Sequence, residues 1–149
     1  MWQIKAEHKR PQKLIKTLAE IWKESVASTH HFLTQEDKEK LYPLVLEALK
    51  NVPFLLTAHK EDNEILGFMG IEGHKIEMLF IHPKAQKQGL GKCFIEHAIN
   101  AYRAEFVDVN EQNPGAFAFY QKMGFEQFDR SEYDDLGNHF PLLHLKLKQ

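Results

Sequence analysis

Ile76-Glu77-Met78-Leu79-Phe80-Ile81-His82-Pro83, and shortly after it Gln86-Lys87-Gln88-Gly89-Leu90-Gly91-Lys92, form the stretch around which the chain is organised. The first run reads as a strand closed by the His82-Pro83 turn. From Gly89 the period becomes helical, with Leu90, Phe94, Ala98 and Tyr102 on one stripe and Ile95 and Ile99 beside it. A strand, a glycine-containing turn and a helix N-terminus make an anion site, because the first helical N–H groups lack an intrahelical acceptor and point outward. Gly89 and Gly91 let phosphate oxygens approach the backbone, and Lys87 and Lys92 add positive charge. A glycine pair before a helix is also, by itself, an ordinary tight turn.

Working outward, residues 2–7 read as a weak first strand. Pro11 suits the first turn of a helix whose apolar positions Leu14, Ile15, Leu18, Ile21, Trp22 and Val26 recur at helical spacing and which ends near Ser28. Thr34 is an N-cap candidate for a second helix with Leu41, Leu44, Val45 and Ala48 on one face, which Pro43 should kink or divide. Between these helices lies the elbow Ser28-Thr29-His30-His31-Phe32-Leu33. Residues 54–59 and 65–72 read as antiparallel strands around Glu61-Asp62-Asn63. Residues 106–110 form a short strand and 114–123 a short helix stopped by Gly124. Residues 125–129 and 142–147 complete a sheet, with the acidic loop Glu132-Tyr133-Asp134-Asp135-Leu136-Gly137 between them. No repeat, low-complexity tract or linker interrupts the order, so the expectation is one mixed α/β domain over residues 1–149.

Composition fits that expectation. The 149 residues, 43% of them hydrophobic, are enough for one substantial core and too few for two independent domains. A net charge of −2, with 19 basic and 21 acidic residues intermixed, offers no broad basic field for nucleic acid. Cys93 is the one cysteine and has no internal partner for a disulfide. Met1-Trp2-Gln3-Ile4-Lys5 lacks the apolar run of a signal peptide, and no stretch approaches the ~20 apolar residues of a membrane span. The expected setting is cytoplasmic and reducing, without membrane or nucleic-acid partners.

A second phrase, Asn113-Pro114-Gly115-Ala116 with Tyr120 and Gly124-Phe125, adds chemistry. Asn113 and Tyr120 are seven residues apart, about two helical turns, so both side chains can face one side of a short helix. An amide at Asn113 could bond a linear, amide-bearing cofactor arm, and the Tyr120 hydroxyl could reach the sulfur at its end. Each residue also has a plain structural use. Asn113 before Pro114 is a natural N-cap, and Tyr120 among Phe117, Phe119 and Phe125 is a natural core aromatic.

In order and spacing these residues resemble the GNAT superfamily of N-acetyltransferases. Gln86 to Gly91 follows its Q/R-x-x-G-x-G/A motif, and Asn113, Ala116, Tyr120, Gly124 and Phe125 follow N-x-x-A-x-x-x-Y-x-x-x-G-F. The likeness is close over the second half of the chain and extends to the first half by element order. Ile21-Trp22, Ser25-Val26, Thr29-His30, Phe32-Leu33 and the tail around Asp134-Asp135-Leu136-Gly137 and Pro141-Leu142-Leu143 further resemble its bacterial YjaB-like branch.

The resemblance implies a central, mostly antiparallel sheet of about seven strands flanked by about four helices. It also implies direct attack of an amine on the thioester of acetyl-CoA, with both substrates bound together. Main-chain groups of Leu79, Phe80 and Ile81 would pair with the pantetheine arm, and the run Gln86, Lys87, Gln88, Gly89, Leu90, Gly91, Lys92 would hold the pyrophosphate. Tyr120 is the candidate acid for the departing thiolate. Glu77 is the candidate base, and its plain alternative is an outward strand residue paired with Lys75. His74 is the rival base, or else a turn cap after Gly73. The acceptor would lie near His30, His31 and Phe32 and the loop with Glu132, Asp134 and Asp135, whose carboxylates favour a cationic amine, small or a protein lysine, if they face the cleft. The histidines show no spacing that converges three or four metal ligands, so no metal is expected. A module that senses acyl-CoA without transferring anything is the competing expectation, with Tyr120 and Glu77 dispensable. A nucleotide phosphate-binding protein is a weaker one, because no Ser or Thr follows Lys92. Either a monomer or a homodimer accommodates these features.

Overall fold

In the computed structural model, which describes residues 2–149, seven strands form one sheet in the order β1-β2-β3-β4-β5-β7-β6. The strands are β1 (Gln3–Ala6), β2 (Phe54–His59), β3 (Ile65–Glu72), β4 (Lys75–Ile81), β5 (Phe106–Asn110), β6 (Phe125–Ser131) and β7 (Leu142–Leu147). Four helices accompany them: α1 (Gln12–Thr29), α2 (Gln35–Asn51), α3 (Leu90–Tyr102) and α4 (Pro114–Lys122). Every strand pairing is antiparallel except β4 with β5.

The period-2 alternation of the strands divides the core between two faces. Leu55, Phe68, Met78 and Phe80 point to one face and meet Ile15, Leu18, Ile21, Trp22 and Val26 of α1 and Leu49 of α2. Leu56, Met69, Ile71, Ile76 and Leu79 point to the other, where Leu90, Phe94, Ile95 and Ala98 of α3 and Tyr120 of α4 cover them. β2 and β3 are therefore buried almost continuously, whereas β6 is an exposed edge. Arg10 donates to the carbonyls of Leu49, Lys50 and Pro53, supplying acceptors at the end of α2 with the partners the helix cannot.

Three local expectations shift. Pro11 stands at the N-cap of α1, one residue outside the helix, which continues to Thr29. Pro43 does not divide α2: it lies inside the helix and is exposed, as is Glu39, whose carbonyl loses its helical donor to the proline ring. The packed face of α2 is also rotated, with Leu41, Tyr42, Val45 and Leu46 against the core and Leu44 at 46% exposure. Thr34 does cap this helix, through a reciprocal box with Asp37.

Two features of β4 open the sheet. Gly70 pairs with Met78 while Ile71 pairs with Ile76, so Glu77 is the extra residue of a β-bulge, which bends the strand and re-aims its side chain. Pairing with β5 is limited to Lys75 with Phe106 and Ile76 with Val107. Beyond that point the strands diverge, leaving the backbone groups of β4 that face away from β3 without a strand partner.

Candidate active site

A cavity of about 440 Å³ runs from the N-terminus of α3 to the divergence of β4 and β5. Its walls come from β4 (Leu79, Phe80, Ile81), the loop into α3 (Gln86, Lys87, Gly89, Gly91, Lys92) and α4 (Asn113, Ala116, Phe119, Tyr120). The loop conformation follows from its residues. Gly89 is the N-cap of α3 at φ +84°, a left-handed geometry that glycine adopts without a Cβ clash. The first intrahelical bond runs from Cys93 N to Gly89 O (3.0 Å), so the N–H groups of Leu90, Gly91 and Lys92 remain for an anion. At Gly91 a Cβ would lie 3.1 Å from the Phe119 ring, so glycine is what permits α3 and α4 to meet there. Gln86 ties the loop down, its amide donating to Ile81 O (3.3 Å) and Ser28 Oγ (3.4 Å).

Asn113 caps a helix and also stands at the cavity. Its Oδ1 accepts from Ala116 N (3.2 Å) as the cap of α4, and the residue also lines the cavity, with its amide nitrogen left for a ligand. Tyr120 is 6% exposed, with its ring edge-to-face against Phe119 (5.1 Å) and Phe125 (5.7 Å). Among the described residues its hydroxyl has no hydrogen-bond partner, and it borders the cavity. Burial pushes the phenol well above the ordinary tyrosine range, so it carries its proton at neutral pH.

A second hollow of about 210 Å³ continues between β4 and β5, and its walls include Glu77, Asp108, His30, Phe80, Asn113 and Tyr120. The bulge at Glu77 thus brings that carboxylate and the Tyr120 phenol to one cleft. Burial raises the Glu77 pKa above the usual carboxylate value; Lys75 opposes the shift, and the charges of Glu72, Asp108 and Asp135 add to it. Lys75, the partner that Glu77 would take as a plain strand residue, pairs instead with Asp108, at 2.8 Å. His30 borders both hollows, with Nδ1 2.7 Å from Thr29 Oγ1 and its ring against Phe32 and Phe80. Burial, with the charge of His31 adding, pulls its pKa down to about 4, so it is neutral at pH 7 and too weak a base to take an amine proton.

Other expected site residues lie elsewhere. His74 occupies the β3–β4 turn, where Nδ1 is 3.0 Å from Arg103 O and its carbonyl accepts from Glu105 N and Phe106 N. It borders a separate hollow with Ile99, Arg103 and Leu147, away from Tyr120. Leu90 is core, 1% exposed, so only its main chain serves the anion site. Gln88 braces the loop, donating to Lys84 O and accepting from Lys60 Nζ. His31 is exposed and borders neither hollow, whereas Phe32 reaches across to Phe140 (5.6 Å) and so joins the elbow to the β6–β7 loop. Glu132 is held by Arg130 (2.7 Å) and His139 (2.8 Å), and the Arg130 and His139 hydrogen bonds lower its pKa. Asp134 accepts from the backbone N–H groups of Leu136 and Asn138 and closes its own loop. The carboxylates on the cleft are therefore Glu77 and Asp108, with Asp135 close enough to be felt by Glu77. Thr29, at the start of the expected acceptor elbow, lines the main cavity, as do Ser25 and Phe119, which had not been assigned to it. Ser25 was detectable as a polar residue interrupting the apolar stripe of α1.

The diverging strands, the bulged carboxylate, the glycine loop at a helix N-terminus and the buried tyrosine accompany a direct match. Residues 19–144 match the family described as the acetyltransferase (GNAT) domain. The chain belongs to the GNAT acetyltransferase family. It is 41% identical over 141 residues to the peptidyl-lysine N-acetyltransferase YjaB of Salmonella typhimurium, covering 95% of this chain and 94% of that protein. It is 30% identical over 123 residues to the peptidyl-lysine N-acetyltransferase YiaC of Escherichia coli, covering 79% and 81%. The solution structure of apo-form YjaB from Escherichia coli superposes with a TM-score of 0.88 at 37% identity, over 98% of this chain and 97% of that one. This GNAT protein is thus an acyltransferase that moves an acetyl group to an amine. The family's acetyl donor is acetyl-CoA, and the residues fit it: a cationic, amide-rich helix terminus for a diphosphate, unpaired strand backbone for an amide-bearing arm, and a protonated phenol where the thioester would end. Among the described residues no helix is long and apolar enough to cross a membrane, and no three His, Cys, Asp or Glu side chains converge as metal ligands would.

Proposed function

We propose that this GNAT acetyltransferase is one catalytic domain, acting in the cytoplasm as a monomer or homodimer, that acetylates the side-chain amine of protein lysines. The observation that carries the proposal is the single cleft bordered by the Glu77 carboxylate, the Tyr120 phenol and the unpaired edge of β4. The names of its relatives at 41% and 30% identity support lysine as the acceptor.

Lys87, Lys92 and the first N–H groups of α3 hold the pyrophosphate, and Asn113 with the backbone of Leu79, Phe80 and Ile81 orients the pantetheine arm. The acceptor arrives as an ammonium and is attracted by Glu77. Glu77 takes its proton, directly or through water, aided by the raised pKa that partial burial confers. The neutral amine attacks the thioester carbonyl, whose developing oxyanion is met by β4 N–H. Collapse breaks the C–S bond, and Tyr120 donates its proton to the thiolate.

Free-thiol release from acetyl-CoA, measured with lysine peptides, polyamines and aminoglycosides, tests the assignment. Turnover with lysine peptides and not with the small amines is the expected result; the reverse would overturn the protein-lysine assignment. Thermal stabilisation by acetyl-CoA with no thiol release from any amine would favour an acyl-CoA-sensing module instead.

A further inference from the structure

The face of β5, β7 and β6 turned away from α3 and α4 carries a second polar constellation that the acetyl transfer does not require. Asp108 and His144 stand directly opposite one another across β5 and β7, and Ser131 pairs with Leu142 at the end of β6. Their side chains are wired in series. Asp108 Oδ1 lies 2.6 Å from His144 Nδ1, and His144 Nε2 lies 2.6 Å from Ser131 Oγ. The other carboxylate oxygen, Oδ2, accepts from Lys75 Nζ at 2.8 Å. Strand register fixes the Asp108–His144 pair, and the Phe128 ring flanks the imidazole at 6.4 Å.

The bonding decides the tautomer. A carboxylate only accepts, so Nδ1 carries a hydrogen, and in its neutral form the ring presents the Nε2 lone pair to the Ser131 hydroxyl. Asp108 thereby orients the base and stabilises the imidazolium that forms when serine gives up its proton. This is the acid–imidazole–hydroxyl logic by which a weak oxygen nucleophile is activated, recognised by geometry rather than by chain order. Ser131 is half-buried rather than enclosed, at a strand end beside the 132–140 loop, so a small acyl donor can reach it.

We propose that Ser131 is a nucleophilic acyl-acceptor site, activated by His144 and oriented through it by Asp108, for small activated esters or thioesters. In the step, a bond forms between Ser131 Oγ and the acyl carbon, and the bond from that carbon to the leaving oxygen or sulfur breaks. The serine proton passes to His144 Nε2 and from there to the leaving group. The products are O-acylserine and a free alcohol or thiol. The proposal uses neither Tyr120 nor the α3 anion site, although Asp108 also borders the acceptor cleft.

The test treats the full chain with p-nitrophenyl acetate and follows nitrophenolate release, intact mass and peptide mapping. The expected result is one acetyl group on Ser131, formed at the same rate in Tyr120→Phe, absent from that peptide in Ser131→Ala, and slowed roughly 100-fold or more in His144→Gln. Asp108→Asn serves the same purpose should His144→Gln fail to fold. No adduct on Ser131, or an equal labelling rate without the imidazole or the carboxylate, would overturn the proposal and leave the chain as a cross-strand hydrogen-bond ladder.

Discussion

Replacing Tyr120 by phenylalanine separates the chemistry of the cleft from its packing. The ring contributes most of what stability Tyr120 supplies, through its contacts with Phe119 and Phe125, and phenylalanine keeps both. The hydroxyl has no protein partner to lose, so unfolding free energy should change by no more than about 0.5 kcal/mol. The rate should change far more. General acid catalysis is worth ~100- to 10,000-fold, which at about 1.4 kcal/mol per decade is roughly 3–6 kcal/mol of transition-state stabilisation. With the phenol pKa raised by burial, the wild-type rate should also show no basic limb from this group up to about pH 9. Steady-state thiol release, paired with thermal melts of both proteins, reads the two effects separately. A kcat within about threefold of wild type, well short of the ~100-fold floor, would refute Tyr120 as the acid. A fall in kcat matched by a lowered melting temperature would move the explanation to packing.

Other perturbations follow the same residues. Glu77→Gln should remove the acid limb of the pH–rate profile, which in the wild type sits above the ordinary carboxylate range because burial raises this pKa; an unchanged limb would assign the base elsewhere. For His30, the folded pKa of about 4 lies below the unfolded value of 6.5. Between those pH values the unfolded chain binds a proton that the native state does not, so stability should fall by about 3 kcal/mol as pH drops through the window. His30→Asn should lack that share of the acid loss in urea titrations. Gly91→Ala should push the Phe119 ring toward the cavity and raise the KM for acetyl-CoA roughly tenfold, with kcat little changed, since overpacking costs about 1–3 kcal/mol. Thr34→Ala, which removes half of the capping box, should cost about 1 kcal/mol by chemical denaturation without altering turnover.

The elements legible in the sequence are those whose signals are local. Gly89 before a helical stripe, Asn113 before Pro114, and Thr34 three residues before Asp37 each satisfy a backbone requirement within one turn, and each stands where that requirement places it. Pro43 misleads because it falls on the exposed side of α2, where the carbonyl it orphans at Glu39 is not enclosed in the core. The acidic loop misleads differently. Glu132 and Asp134 read as free carboxylates, but Arg130, His139 and two backbone N–H groups consume them, and such short-range self-pairing leaves no mark in composition. His74 follows Gly73 as a turn residue should, yet its partner is the carbonyl of Arg103, 29 positions away.

The two ends of the cleft depend on different ranges of contact, and this bears on what each can vary. The donor end is assembled from consecutive residues of one loop and from the first turns of two helices, so its geometry is fixed by backbone conformation at Gly89 and by the close approach at Gly91. Few substitutions there leave the helix terminus pointing at the same place. The acceptor end is assembled from β4, β5 and the elbow after α1, brought together by a bulge and by strands that part after two pairings. The side chains of Glu77 and His30 line that gap. Donor recognition is therefore the half of the site that a sequence motif can encode, and acceptor preference is the half set by the charge of a few side chains across the β4–β5 gap.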